Sequence, residues 1–160
     1  MKRNRGYTLI ELLVALSIFV IVVIVVLGLF SMAIKGQRKI IAQQNVQENA
    51  RFLLEFMAKE IRMSTINSSN GVLGSLAITR SDGDPVDYTI TSGKLFRNDK
   101  QVNSDEVTIT GFFSIEGYGE SDGFQPKVTI SIGVNDTSGK VEGRAKINIQ
   151  TTLSQRNIDL

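Results

Sequence analysis

Residues 12–34 read LLVALSIFVIVVIVVLGLFSMAI, a run of 23 residues interrupted only by Ser17, Gly28 and Ser31. As a helix rising ~1.5 Å per residue, it would be roughly 35 Å long, enough to cross the hydrocarbon core of a bilayer with some tilt. A core helix of a 160-residue protein seldom needs to be apolar on every side for that distance. The stretch therefore reads as a membrane span, and everything else in the chain is placed relative to it.

The flanking charges orient it weakly. Lys2, Arg3 and Arg5 precede the run, and Lys35, Arg38 and Lys39 come closely after it, so the positive-inside count is nearly balanced. The bulk of the chain lies after the span. An N-terminus-inside orientation would export it.

Composition narrows the function. The chain has no Cys, no His and no Trp, which removes thiol nucleophiles, histidine bases, Ser-His-Asp triads and nearly every zinc site. No cluster of carboxylates, Lys or Tyr stands in for them, so the expectation is a protein that is not an enzyme and has no cofactor. The net charge of +2 conceals an uneven chain. Residues 1–63 hold nine basic and four acidic side chains, whereas residues 64–160 hold nine basic and twelve acidic ones. A mildly acidic C-terminal part is a poor nucleic-acid binder. The absence of cysteine suits a cytosolic or an exported protein equally.

Glu11 stands at the mouth of the apolar run. A carboxylate costs ~2.5–3.5 kcal/mol at the centre of a membrane on insertion scales and less near the interface, and such a residue asks for a cationic partner. Two ordinary readings leave it unexplained. One is a secretory signal peptide cut at Ser31-Met32-Ala33, although the apolar run exceeds the usual ~7–15 residues. The other is a plain uncleaved signal anchor.

Lys2-Arg3-Asn4-Arg5-Gly6-Tyr7-Thr8-Leu9-Ile10-Glu11-Leu12-Leu13 resembles the N-terminal signal of type IV pilins and type II secretion pseudopilins. That pattern is a short basic leader ending in Gly, then an aromatic residue, Thr, Leu, an aliphatic residue, Glu and a long apolar helix. The family usually carries Phe where Tyr7 stands. The resemblance implies that prepilin peptidase cuts between Gly6 and Tyr7, and that the new amine of Tyr7 is N-methylated. It also implies that Glu11 pairs with the N-terminal ammonium of a neighbouring subunit. Removal of the leader charges Lys2, Arg3 and Arg5 moves the side-chain balance from +2 to −1. It also creates an ammonium four residues before Glu11, on the same helical face.

Beyond the span, residues 37–63 contain no Pro, and Val46, Ala50, Leu53, Met57 and Ile61 recur at helical spacing, with Leu54 and Phe56 widening the stripe. Glu55 and Lys59 are placed for an i,i+4 pair. A single helix from Tyr7 to about Met63 is expected, its second half packed on the C-terminal part of the chain. That C-terminal part alternates as strands do. Val128, Ile130, Ile132 and Val134 oppose Thr129, Ser131 and Gly133, while Ile147, Ile149, Thr151 and Leu153 oppose Lys146, Asn148, Gln150 and Thr152. Val86–Ile90 and Lys94–Phe96 flank Thr91-Ser92-Gly93 as a hairpin, and Val107 to Ile115 forms a strand bent at Gly111, with the pair Phe112-Phe113 pointing to opposite faces.

The expected fold class is α+β, with a long N-terminal helix packed by its second half on one antiparallel sheet of five or six strands. The expected segments are a cleaved leader at 1–6, a transmembrane and assembly helix at 7–34, an amphipathic helix at 35–63 and a β-rich head at 64–160. Residues 64–75 read as a polar surface loop, and Asn135-Asp136-Thr137-Ser138-Gly139 as a hairpin turn. Asp82, Asp84 and Asp87 cluster around Gly83 and Pro85. They are conceivable calcium ligands but read better as a solvated acidic turn, so no metal is expected.

A second resemblance concerns subtype. Gln47-Glu48-Asn49-Ala50-Arg51-Phe52-Leu53, Glu60-Ile61-Arg62 and the closing Leu153-Ser154-Gln155-Arg156-Asn157 are similar to minor pseudopilins of the J type and related minor pilins. The Cys pair and the helix Pro common in major pilins are absent, leaving Gly28 as the expected point of flexibility. Together the resemblances imply a minor subunit of a type IV pilus or type II secretion pseudopilus. It would sit in the cytoplasmic membrane with its head outside. Its partners would be prepilin peptidase, other pilins or pseudopilins, an assembly platform with its ATPase, and the lipid bilayer. The alternative is a membrane-tethered extracytoplasmic binding module that never polymerises. A third reading, a secreted enzyme cut after Ala33, would lack residues 7–33 when mature.

Overall fold

A computed structural model describes residues 6–119, 125–137 and 145–156. Helix α1 spans Leu9–Arg62, and nine strands come after it among the described residues. The chain forms two compact units, 1–38 and 39–160.

In the first unit, every described residue of 6–38 is exposed except the half-buried Ile34. Leu, Ile, Val and Phe side chains fill most of 9–30. Each would gain ~1.5–3 kcal/mol by leaving water, so the helix surface is built for lipid or for other apolar helices. The Ser17 hydroxyl donates to the Leu13 carbonyl at 2.8 Å, the usual way a helix hides a hydroxyl from hydrocarbon.

In the second unit the helix is amphipathic. Ala42, Val46, Ala50, Leu53, Met57 and Ile61 are its buried residues, at spacings of three and four, and they bury the expected stripe one turn further back. Leu54 is partly buried against the core, while Phe56 lies at its margin, 37% exposed. Glu55 pairs with Arg51 at 2.8 Å rather than with Lys59. Both arrangements satisfy i,i+4 spacing, and the guanidinium supplies a directional donor that an ammonium lacks.

The expected single sheet is in fact two antiparallel sheets. One contains β1 (Ser64–Ile66), β3 (Ser75–Arg80), β4 (Pro85–Thr91), β5 (Lys94–Arg97) and β6 (Lys100–Gln101), in that spatial order. The other runs β2 (Gly71–Leu73), β7 (Val107–Glu116), β8 (Lys127–Asp136) and β9 (Lys146–Ser154). The segment 64–75 is therefore not a plain loop. Its strand β1 pairs with β3, placing Ile66 in the core, and its strand β2 pairs with β7, so this short stretch feeds both sheets. Strands of three residues are too short to show alternation, and their pairing comes from partners distant in sequence.

The remaining elements keep the alternation. Val128, Ile130, Ile132 and Val134 are all buried, and β9 alternates between inward Ile147, Ile149, Thr151 and Leu153 and outward neighbours. Strands β4 and β5 form the expected hairpin, but its connection is the two residues Ser92-Gly93, both at positive φ, with Thr91 opposite Lys94. Strand β7 passes Gly111 without ending there, because a Cβ at this position would lie 2.1 Å from the Ser131 carbonyl oxygen and only glycine lets β8 approach. Phe113 is buried and Phe112 exposed, as adjacent strand residues must be. Side chains from the helix stripe and from both sheets form one hydrophobic cluster. The turn after β8 falls partly outside the described residues, as does Asn157.

Candidate functional site

Gly6, Tyr7 and Thr8 precede α1 as irregular, exposed chain, with Tyr7 at 87% exposure. A peptidase needs an accessible bond outside regular structure, and the Gly6–Tyr7 peptide is exposed and precedes the helix. The leader charges Lys2, Arg3 and Arg5 lie outside the described residues.

Thr8 caps the helix. Its Oγ1 accepts the Glu11 N–H at 3.4 Å, and its carbonyl accepts the Leu12 N–H at 3.2 Å. Thr8-Leu9-Ile10-Glu11 thus has the Ser/Thr-x-x-Glu spacing of a capping box. Only one half of the box forms. Among the described residues the Glu11 carboxylate has no hydrogen bond or ion pair. In water a carboxylate in the first turn gains ~0.3–1 kcal/mol from the helix dipole, which does not match the penalty of placing it against hydrocarbon. Glu11 is left asking for a cation.

A second polar centre lies in the head, and sequence reasoning missed it. Glu60, in the last turn of α1, receives Arg97 Nε at 3.0 Å and Arg97 Nη2 at 2.6 Å. The Tyr88 hydroxyl donates to the same carboxylate, and Arg80 Nε stands 3.7 Å away. A carboxylate at a helix C-terminus faces the negative end of the dipole, so these donors must hold it there. The Arg97 guanidinium keeps the Glu60 carboxyl below the usual carboxylate range. Burial first, then the neighbouring carboxylate, pushes the Tyr88 phenol up. Both Glu60 oxygens are engaged with donors from strands β3, β4 and β5. That is the chemistry of a clamp between helix and sheet, with no oxygen free to move a proton.

The acidic turn is a local structure. Asp82 pairs with Arg80 at 2.9 Å and accepts the Asp84 N–H at 3.2 Å, while Asp87 offers its N–H to the Asn98 side chain. Among the described residues, no three His, Cys, Asp or Glu side chains are grouped to hold a metal ion.

No curated protein and no solved structure matches the chain. Residues 1–27 match the prokaryotic N-terminal methylation motif. The chain thus carries, at the start of a helix long and apolar enough to span a membrane, the N-terminal signature of type IV pilin-like proteins.

Proposed function

We propose that this protein is a minor subunit of a type IV pilus or a type II secretion pseudopilus. Prepilin peptidase cuts between Gly6 and Tyr7, and the new Tyr7 amine is methylated. The subunit waits in the cytoplasmic membrane with its head outside. It then enters a filament by packing its apolar helix against those of other pilins or pseudopilins, on an assembly platform driven by an ATPase. Glu11 meets the N-terminal ammonium of a neighbour, which cancels two charges that hydrocarbon penalises and fixes the axial step between helices. The J-type minor pseudopilin is the subtype the scattered head residues favour.

One observation carries the reading: an exposed Gly6–Tyr7 bond, with Tyr7 four residues before Glu11, whose carboxylate has no partner among the described residues, at the start of a helix with an apolar surface. A simple tether needs neither the glycine nor the carboxylate. The test is the intact mass and N-terminal sequence of the protein extracted from its native membrane. A chain starting at Tyr7 with one added methyl group supports the proposal. A start at Met1 in a host with active prepilin peptidase overturns it in favour of the tethered binding module, and a start at Ile34 makes it a secreted domain.

A further inference from the structure

The C-terminal half of β9 and the neighbouring flank of α1 enclose an open groove of about 760 Å³. Its apolar lining comes from Leu54, Ala58, Met63 and Leu153, and Lys59, Arg62 and Arg156 stand around it. Among the described residues none of these three cationic side chains has a hydrogen bond or ion pair. Glu55, the acidic residue of the groove, is already engaged by Arg51. Among the described residues, the groove therefore presents positive charge without an acidic partner, over an apolar floor.

Its wall is also unfinished. β9 is the last strand of its sheet, paired with β8 on one side and with no strand on the other among the described residues; just past its end the Arg156 N–H donates to the Arg62 carbonyl at 3.2 Å, so the edge on offer ends at Ser154. An edge strand offers a row of backbone N–H and C=O groups to any extended chain that fits beside it. Cations at an edge repel basic strands, and the same cations attract an acidic one.

We infer that this groove takes an extended acidic segment of a partner protein, added as a further strand to the free edge of β9. Alternate side chains of that segment would continue the inward face of Leu153 onto Leu54 and Ala58. Its carboxylates would meet Lys59, Arg62 and Arg156. A phosphate group would use the cations and leave the apolar floor and the strand edge uncovered, whereas an extended peptide uses all three. Every residue involved lies in 54–63 or 151–156, so the inference is independent of the processing and assembly of the N-terminal helix.

The test uses the full chain in a non-ionic detergent and a fluorescent synthetic peptide that alternates aspartate and valine, read by anisotropy. Saturable binding is expected, weakened about tenfold or more when lysine replaces aspartate in the peptide, as removal of opposite charges at a contact predicts. The same loss is expected when the chain carries Lys59→Glu and Arg62→Glu, or Arg156→Glu alone, each checked for an unchanged thermal transition. N-methylation of alternate peptide amides is expected to abolish binding, because it removes the donors a strand needs. Absence of saturable binding overturns the proposal, as does equal binding of the acidic and basic peptides or indifference to the charge reversals. Indifference to N-methylation, or complete displacement by millimolar inorganic phosphate, would reveal an anion contact without strand pairing and overturn it too. Binding that appears only after removal of residues 157–160 would mean the chain's own end competes for the groove, and the partner proposal would fall.

Discussion

Arg97 and Glu60 meet through two nitrogen–oxygen contacts, at 2.6 and 3.0 Å, across 37 positions of sequence. The pair ties the last turn of α1 to strand β5, and Tyr88, directly opposite Arg97 in the β4–β5 ladder, donates to the same carboxylate. Glu60 is only 14% exposed and Arg97 27%, so water screens the contact poorly. Removing one partner leaves the other charge half-buried and unanswered.

Glu60→Ala is accordingly expected to destabilise the head by ~2–4 kcal/mol, the lower part of that range applying if water reaches Arg97. Arg97→Ala should cost a similar amount, and the double variant less than the sum of the two. Urea unfolding of the detergent-solubilised chain, followed by near-ultraviolet dichroism of its tyrosines, measures all three. Additive losses would show that the two side chains act separately.

The same cluster sets a pH dependence with two arms. The folded Glu60 carboxyl titrates below its unfolded value, so its contribution is present above the ordinary carboxylate range of about 4.3. As pH falls, the unfolded chain takes up the proton first, and the contribution is lost on passing below the folded value. Tyr88 works in the opposite sense. Its folded phenol titrates above the unfolded value of about 10, so its contribution is present below that pH and declines as the unfolded chain ionises first. Tyr88→Phe should therefore flatten the alkaline arm, and Glu60→Gln the acid arm, in unfolding free energy measured against pH.

Gly111 tests how closely β7 and β8 approach. Gly111→Ala puts a methyl carbon against the Ser131 carbonyl oxygen, where no side chain can yield. A loss of ~2–3 kcal/mol is expected, typical of overpacking that only backbone movement relieves. Gly28→Ala meets open space, and in the isolated subunit it should raise helix stability by up to ~1 kcal/mol. Chemical unfolding of the first variant and helical dichroism of the second check the contrast.

Leu53 and Phe52 are neighbours with opposite fates. Leu53 is fully buried, whereas Phe52 is 52% exposed and stacks on Phe56 with ring centroids 5.8 Å apart. Leu53→Ala should cost ~2–5 kcal/mol and Phe52→Ala under ~1 kcal/mol, because only the first opens a cavity. Comparable losses in urea unfolding would contradict the packing of the helix stripe.

Thr8 and Glu11 separate capping from assembly. Thr8→Ala removes the cap and should cost the helix start ~1 kcal/mol, with incorporation into filaments retained. Glu11→Ala should leave a stable membrane protein that assembles poorly. Sheared-filament yield, set against membrane abundance, distinguishes the two. Normal incorporation of the Glu11 variant would remove its role in setting register.

Much of the fold was legible in the residues. A helix pattern that changes from apolar all round to striped announces one long helix with two environments. Strict alternation in 128–134 and 147–153 announces half-buried strands. The division into two sheets was not legible, because β1 and β2 are three residues each and owe their existence to β3 and β7. Half of the Glu60 clamp was within reach. A two-residue turn at Ser92-Gly93 sets Tyr88 opposite Arg97 by counting alone. The other half was not, since nothing local says which carboxylate of a distant helix will meet them.

Near neighbours along the chain account for the apolar span, the Gly6–Tyr7–Glu11 spacing, the helix stripe and the strand alternation. These arise from side-chain periodicity and from the cost of charge in hydrocarbon, which act over a few residues. Tertiary structure alone decided how the strands divide between sheets, where Glu60 finds its donors and which flank of the helix lies open beside β9. Those outcomes depend on contacts between residues tens of positions apart, whose closure is fixed by the packing of the whole core rather than by any local preference.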